Sequence, residues 1–152
     1  MNSTALPAEA ILQERYFNLL DRRDLPGIEE LFCASATAVY DFNGPDPLIG
    51  RDAIMEALTI VETFAGTLHT RSSTGLNPDG VTWTTFALAV VHLADGTVLQ
   101  RGLRYDDRWT REDGALRIVQ REQRCLWELG DGSLTPRAQR VAKHRLHHGN
   151  PE

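Results

Sequence analysis

The stretch Gln100-Arg-Gly-Leu-Arg-Tyr-Asp-Asp-Arg-Trp-Thr-Arg111 decides the fold. Taken at the two-residue period of a β-strand, it places Leu99, Arg101, Leu103, Tyr105, Asp107 and Trp109 on one face. Gln100, Gly102, Arg104, Asp106 and Arg108 fall on the other, which is polar. A strand with one wet face should bury the opposite one, yet here that face carries an arginine and an aspartate. Burying a charge without a partner is costly, so such residues pair, line a cavity or bind something. The strand is therefore expected to wall a cavity.

On either side of it the same period continues. Leu68 to Leu76, Val81 to Leu93, Thr97 to Arg111 and Leu116 to Trp127 read as strands, with turns at Asn77-Pro-Asp-Gly80, Ala94-Asp-Gly96 and Glu112-Asp-Gly114. Asp-Gly in all three turns is a strong hairpin signal. Upstream the period becomes helical. Leu12, Tyr16, Leu19 and Leu20 make one face of a helix over residues 8–22. Asp24 can cap a second helix, with Pro26 in its first turn and Ile28, Leu31 and Phe32 on its buried side. Thr37 to Phe42 is β-branched and aromatic, reads as a strand, and runs into the turn Asn43-Gly-Pro-Asp-Pro47. A third helix follows from about Arg51 to Phe64, with Ile54, Ala57, Leu58 and Val61 inward, and closes at Gly66. The fold class is α+β, with three N-terminal helices packed on one face of a curved, mostly antiparallel sheet. Residues 1–7 read as a tail, 8–130 as the domain, and 131–152 as a polar, basic tail or loosely docked helix.

Composition narrows the function. With 152 residues, 41% of them apolar and 24% charged, the chain fits one ordinary globular domain. A net charge of −5 argues against nucleic acid as the main partner. No run of about 18 apolar residues exists to span a membrane, and the N-terminus lacks the pattern of a signal peptide. Cys33 and Cys125 are too few for a disulfide framework, so reduced, buried thiols in a cytoplasmic protein are expected. The scattered histidines and carboxylates lack metal-site spacing, and no Gly-rich phosphate loop follows a strand. No cofactor is implied. The strand at Phe86, Leu88, Val90 and His92 is apolar on this face and again at Trp83, Ala87, Ala89 and Val91. Burial on both sides predicts a homodimer through the outer face of the sheet.

Three segments carry a family resemblance. They are Arg15-Tyr16 with Asp24-Leu-Pro-Gly-Ile-Glu-Glu-Leu-Phe32, then Val39-Tyr-Asp-Phe-Asn-Gly44 with Gly50-Arg-Asp-Ala-Ile54, and last Gly102 to Trp109 with Asp113-Gly114 and Leu116-Arg-Ile118. In this order they resemble the ketosteroid isomerase, scytalone dehydratase and SnoaL-like cyclase superfamily, the nuclear transport factor 2-like cone fold. The resemblance spans roughly residues 8–128. It implies a cone with an internal pocket. One such fold hosts isomerases, dehydratases, cyclases, epoxide hydrolases and non-catalytic binders.

Candidate chemistry follows. Asp41 stands between an apolar strand and a turn, where a carboxylate can reach the pocket mouth; the resemblance makes it the proton-shuttling base, and the alternative is a cap on its own turn. The resemblance matches Tyr16 and Asp107 to the phenol and the protonated acid of the isomerase oxyanion hole. The alternatives are a core aromatic for Tyr16 and, for Asp107, an ion pair with Arg101. Of the strand histidines, His92 is read as a satisfied histidine on the outer sheet and His69 as functional, since imidazole can take or give a proton near neutral pH. Scytalone dehydratase-like members, by resemblance, orient a strand histidine with an aspartate late in the first helix, where this chain has Asp21; the tyrosine expected before it is Leu20. Asp41 and His69 are thus the expected proton-transfer groups, with Tyr16 and Asp107 steadying charge on the substrate oxygen. Arg101, Tyr105, Asp21 and Trp109 are expected to bind substrate. The implied activity is lyase or isomerase chemistry: dehydration, isomerisation or aldol-type cyclisation of an apolar, carbonyl-bearing molecule of polyketide or steroid-like type. The rival is a binding or assembly module with the same cone and no turnover.

Overall fold

The computed structural model describes residues 5–130 and 133–135; the expected tail over 131–152 and the start of the N-terminal tail lie outside the described residues. Helix α1 (Ala8–Arg22) buries Gln13, Tyr16, Phe17 and Leu20 along one face; of the expected stripe Tyr16 and Leu20 are on it, while Leu12 and Leu19 are only partly buried at its edges. Its end is sharp, because Arg23 adopts φ 57° and its N–H and that of Asp24 return to Leu20 and Leu19 carbonyls. Helix α2 (Leu25–Glu29) is capped by Asp24, whose Oδ1 accepts from Gly27 N–H at 3.0 Å.

Strand β1 (Phe32–Tyr40) starts earlier than the sequence suggests, taking Phe32 out of the helical stretch, and its expected end becomes a 3-10 turn over Asp41–Asn43. A two-residue strand β2 (Leu48–Ile49) pairs back on β1 and leads into helix α3 (Arg51–Leu58). Helix α3 ends sooner than expected and tightens into a 3-10 turn over Thr59–Thr63. The run Thr59, Ile60, Val61 and Thr63 is β-branched, and such side chains crowd an α-helical turn.

The remainder is sheet: β3 (Gly66–Leu76), β4 (Thr82–His92), β5 (Val98–Glu112), β6 (Ala115–Gly130) and β7 (Ser133–Thr135). The strand order is β2-β1-β6-β5-β4-β3, with β7 added on β6. Neighbours run antiparallel except β1 and β6, which are parallel, so the sheet is mixed. The β5–β6 hairpin turns on Asp113 and Gly114, with φ 51° and 77°, the left-handed pair that an Asp-Gly hairpin requires. The three helices cover one face. Between them and the sheet lies a core that includes Tyr16, Phe17, Ile28, Phe32, Ile54, Leu58 and Ile118. Each such side chain contributes about 1.5–3 kcal/mol by leaving water.

Alternation along β5 is as the sequence predicts: Leu103, Tyr105 and Asp107 are buried and Arg101 and Trp109 partly buried, while Gln100 and Arg108 are exposed. On β4, Ala87, Ala89 and Val91 face in, and Phe86, Leu88, Val90 and His92 face out.

Candidate active site

A cavity of about 70 Å³ opens between the inner face of the sheet and the helices. Its walls are mostly apolar, with Leu20, Leu58, Val61, Phe64 and Leu103 among them. Seven polar side chains interrupt them: Tyr16, Tyr40, Thr67, His69, Arg101, Tyr105 and Gln123. The Arg23 guanidinium donates to the Phe64 carbonyl at 2.6 Å and to that of Val61, so α1 fastens the segment over the cavity.

On one wall, α1 and β3 meet through Asp21 and His69. Asp21 Oδ1 lies 2.7 Å from His69 Nδ1, and Oδ2 accepts from the His69 backbone N–H at 2.9 Å. The Thr67 hydroxyl adds a third donor at 2.9 Å. Burial pushes the Asp21 carboxyl up, but the His69 and Thr67 donors and the nearby imidazole outweigh it and hold it below the ordinary carboxylate value. The imidazole stacks on Phe17, with centroids 5.3 Å apart and planes 10° from parallel. Its orientation is therefore fixed from two sides.

Across the cavity the Tyr16 and Tyr40 hydroxyls are 2.9 Å apart. Burial raises both phenols, and the Arg121 guanidinium pulls each the other way. Arg121 lies beneath them, 4.2 Å from the Tyr16 ring centroid and 4.8 Å from that of Tyr105. Its Nε and Nη2 donate to Asp107 Oδ1 and Oδ2 at 2.7 and 2.8 Å, a bidentate pair closed off from solvent, and Nη2 also reaches Gln13. Burial pushes the Asp107 carboxyl up against that pull; the Asp107 carboxylate raises Arg121.

Of the residues singled out by sequence, Tyr16, His69, Arg101 and Tyr105 line this cavity, and Asp21 sits behind His69. The others stand elsewhere. Asp107 does not pair with Arg101 and is not presented to the cavity, because both its oxygens are turned to Arg121. Arg101 pairs instead with Glu128, Nε to Oε2 at 2.6 Å. Asp41 lies in the 3-10 turn beside the cavity, its Oδ2 accepting from Cys125 N–H at 2.6 Å and its N–H donating to Gln123 Oε1 at 3.1 Å. It is therefore not simply a cap on its own turn. Trp109 packs against the core outside the cavity lining. His92 is on the outer, exposed face. Both cysteines are buried, and among the described residues neither is in a disulfide.

Sequence reading missed Tyr40, Arg121 and Gln123. Tyr40 was accessible to it, since the alternation Ala36, Ala38, Tyr40 along β1 marks the buried face. Among the described residues no three metal-ligating side chains converge, and no helix is long and apolar enough to cross a membrane.

An α+β cone with an internal cavity, walled by a long β-hairpin and floored by aromatic side chains, defines the class. The chain belongs to the SnoaL-like domain family, whose model matches residues 10–122. No curated protein matches the chain in sequence. Solved structures share the fold. A putative scytalone dehydratase from Novosphingobium aromaticivorans is 20% identical with a TM-score of 0.72, covering 95% of this chain and 93% of that one. The hexachlorocyclohexane dehydrochlorinase LinA-type3 from Novosphingobium barchaimii is 12% identical with a TM-score of 0.67, covering 78% and 84%. ActVI-ORFA from Streptomyces coelicolor is 21% identical with a TM-score of 0.61, covering 74% and 90%.

Proposed function

We propose that the chain is a small cytoplasmic enzyme that removes a proton beside a carbonyl group, using its own side chains. The substrate is an apolar molecule of polyketide or steroid-like type, and the outcome is dehydration, isomerisation or aldol-type cyclisation. One observation carries the reading: the Asp21–His69 pair on the cavity wall. A carboxylate can only accept, so His69 Nδ1 holds the proton and Nε2 is the basic nitrogen. A base oriented by a third group is the usual architecture of proton transfer in a closed site.

Nε2 takes the substrate proton, and the electron pair of the C–H bond moves to the carbonyl oxygen. In the Tyr16–Tyr40 pair one hydroxyl donates to the other, leaving the second phenolic proton for an oxygen on the substrate. Such a donor in a water-poor cavity is worth far more than in water. In the dehydration branch the enolate then expels a β-hydroxyl, protonated by the imidazolium as it leaves. Arg101 and Tyr105 position the substrate on β5. Asp41, Asp107 and Trp109 act from behind the wall, holding β6, Arg121 and the core. The names of two structural neighbours, a dehydratase and a dehydrochlorinase, both denote eliminations and favour that branch.

The binding-module reading predicts carboxylates consumed by arginines. Asp106 and Asp107 fit it, being held by Arg104 and Arg121. Asp21 does not, since its partner is a histidine at the cavity, and this favours an enzyme. We further propose that the protein is a homodimer through the outer sheet face. Leu68 and Leu88 there are 61% and 49% exposed, and Val90 stands directly opposite Leu68.

The test is exchange of α-hydrogens of bicyclic ketones and elimination from β-hydroxyketones, followed by NMR in D2O. His69→Gln is expected to slow turnover about 10²–10⁴-fold without changing the fold. No exchange or elimination above background by the unmodified protein, across the panel, would remove the reading.

A further inference from the structure

We infer that Gln123 and Tyr105 together form the binding site for a substrate oxygen, selecting molecules that present a ketone, enone or phenolic oxygen. The inference rests on the reading of the cavity as the active site and names the substrate class it accepts.

Three inward-facing side chains stand in one row across the sheet. Tyr105 on β5 is directly opposite Gln123 on β6, and Gln123 is directly opposite Tyr40 on β1. All three line the cavity. Residues so paired across antiparallel strands have Cβ atoms about 4.5–5.5 Å apart, so the Tyr105 phenol and the Gln123 carboxamide are immediate neighbours. The carboxamide can be oriented from its partner. The Asp41 backbone N–H donates at 3.1 Å, and only an oxygen can accept, so the amide oxygen is the anchored end. The NH2 remains for the cavity. Among the described residues neither that NH2 nor the Tyr105 hydroxyl has a hydrogen-bond partner. Both residues line a mostly apolar cavity, so an oxygen that enters it can accept from these two donors with little competition from other polar groups.

The kind of acceptor follows from the charges nearby. Arg101, the cation lining the cavity, is already paired with Glu128. Arg121, under the Tyr105 ring, is neutralised by Asp107. Two neutral donors with no spare cation suit an oxygen of partial or delocalised charge, such as a carbonyl passing to an enolate. A full carboxylate has no counter-ion here. Asp41 acquires a role as well. Its N–H holds Gln123 and its carboxylate holds the N–H of Cys125, two residues further along β6, so it is a positioning residue for the carboxamide.

The experiment titrates 4-nitrophenol and 4-nitrotoluene, which differ by hydroxyl against methyl, into the full chain. The bound phenolate is followed by its absorbance. Tyr105→Phe and Gln123→Leu are each expected to weaken 4-nitrophenol about 10-fold, and the double variant about 100-fold, as for loss of one and two hydrogen bonds to a charged acceptor. Binding of 4-nitrotoluene should change less than about 3-fold, since it uses neither donor. The readout is binding without turnover, so failure of this inference is distinct from failure of the proton-transfer reading, which the exchange and elimination assay tests. Melting curves check each variant, and Gln123→Met stands in if the leucine variant does not fold. Variants that bind 4-nitrophenol as tightly as the unmodified protein overturn the inference, as does a wild type that does not prefer it to 4-nitrotoluene.

Discussion

The Asp21 carboxylate holds His69 at two points, Oδ1 at 2.7 Å from the ring Nδ1 and Oδ2 at 2.9 Å from the backbone N–H. One side chain on the last turn of α1 thereby fixes both the register of β3 against the helix and the direction of the imidazole. The two functions can be separated by pH. The Asp21 carboxyl has a lower pKa folded than unfolded, so the contact adds stability above the ordinary carboxylate value of 3.8. That addition is lost as pH falls through the lowered folded value. Asp21→Asn should therefore melt below wild type at neutral pH, and the gap should close on acidification below 3.8. Calorimetry across that range checks it; a gap that stays constant into acid would show that Asp21 does not supply the linkage.

How much of this was legible in sequence depends on where the ladders are regular. Strands β4 and β5 pair without a break from Thr82 against Arg108 to His92 against Val98, so simple alternation identifies the cavity wall. Strand β6 carries a bulge where Arg108 pairs with Gln120 but Trp109 pairs with Ile118. The extra residue, Val119, reverses the parity, and Arg121 and Gln123 face in although alternation from Ile118 would send them out. The error over Asp107 has a geometric cause as well. Arg101 shares its face, but six residues along a strand is roughly 20 Å. Arg121, far away in sequence, is directly across the ladder. Long-range partners set the polar floor of the cavity, and one sequence does not reveal them. The limits of α1 and the start of α2, by contrast, rest on local signals such as the Asp24 cap and were readable, whereas α2 and α3 end sooner than the apolar spacing suggests.

The Arg121–Asp107 pair makes a sharp stability prediction. The two residues are 1% and 2% exposed, so neutralising one leaves the other charge buried without its counterpart. Asp107→Asn is expected to cost about 3–5 kcal/mol in urea unfolding. Replacing both, as Asp107→Leu with Arg121→Met, should recover most of that, because the desolvation of both charges is removed together. An Asp107→Asn protein as stable as wild type would contradict the geometry.

Gly102 is the one position on β5 where a side chain cannot be accommodated as the structure stands. A methyl group there would overlap the indole of Trp127, which lies across it from β6. Gly102→Ala must push the indole off the sheet, at about 1–3 kcal/mol for an overpacked contact. In a Trp83→Phe, Trp109→Phe background, Trp127 emission should shift to the red on adding Gly102→Ala. Unchanged emission and stability would mean that the indole does not rest on Gly102.

The outer face of the sheet gives the last prediction. Phe86, Leu88 and Val90 alternate outward along β4, beside Leu68 on β3, and form a band that the helices, on the opposite face, do not cover. The band continues across β5 through Gly102 and Gln100, which pair with Leu88 and Val90 and offer no bulky charge, before Arg104 closes it opposite Phe86. An apolar strip rimmed by charge suits a second copy of the same surface related by a two-fold axis. Placing a carboxylate at its centre, Leu88→Glu, would set two like charges against each other in a dimer while leaving a monomer's core untouched. Light scattering should return twice the 17.0 kDa chain mass for wild type and the single mass for Leu88→Glu, with equal melting of the α1–β3 contact by hydrogen exchange. A wild type that already scatters as a monomer at micromolar concentration would remove the dimer.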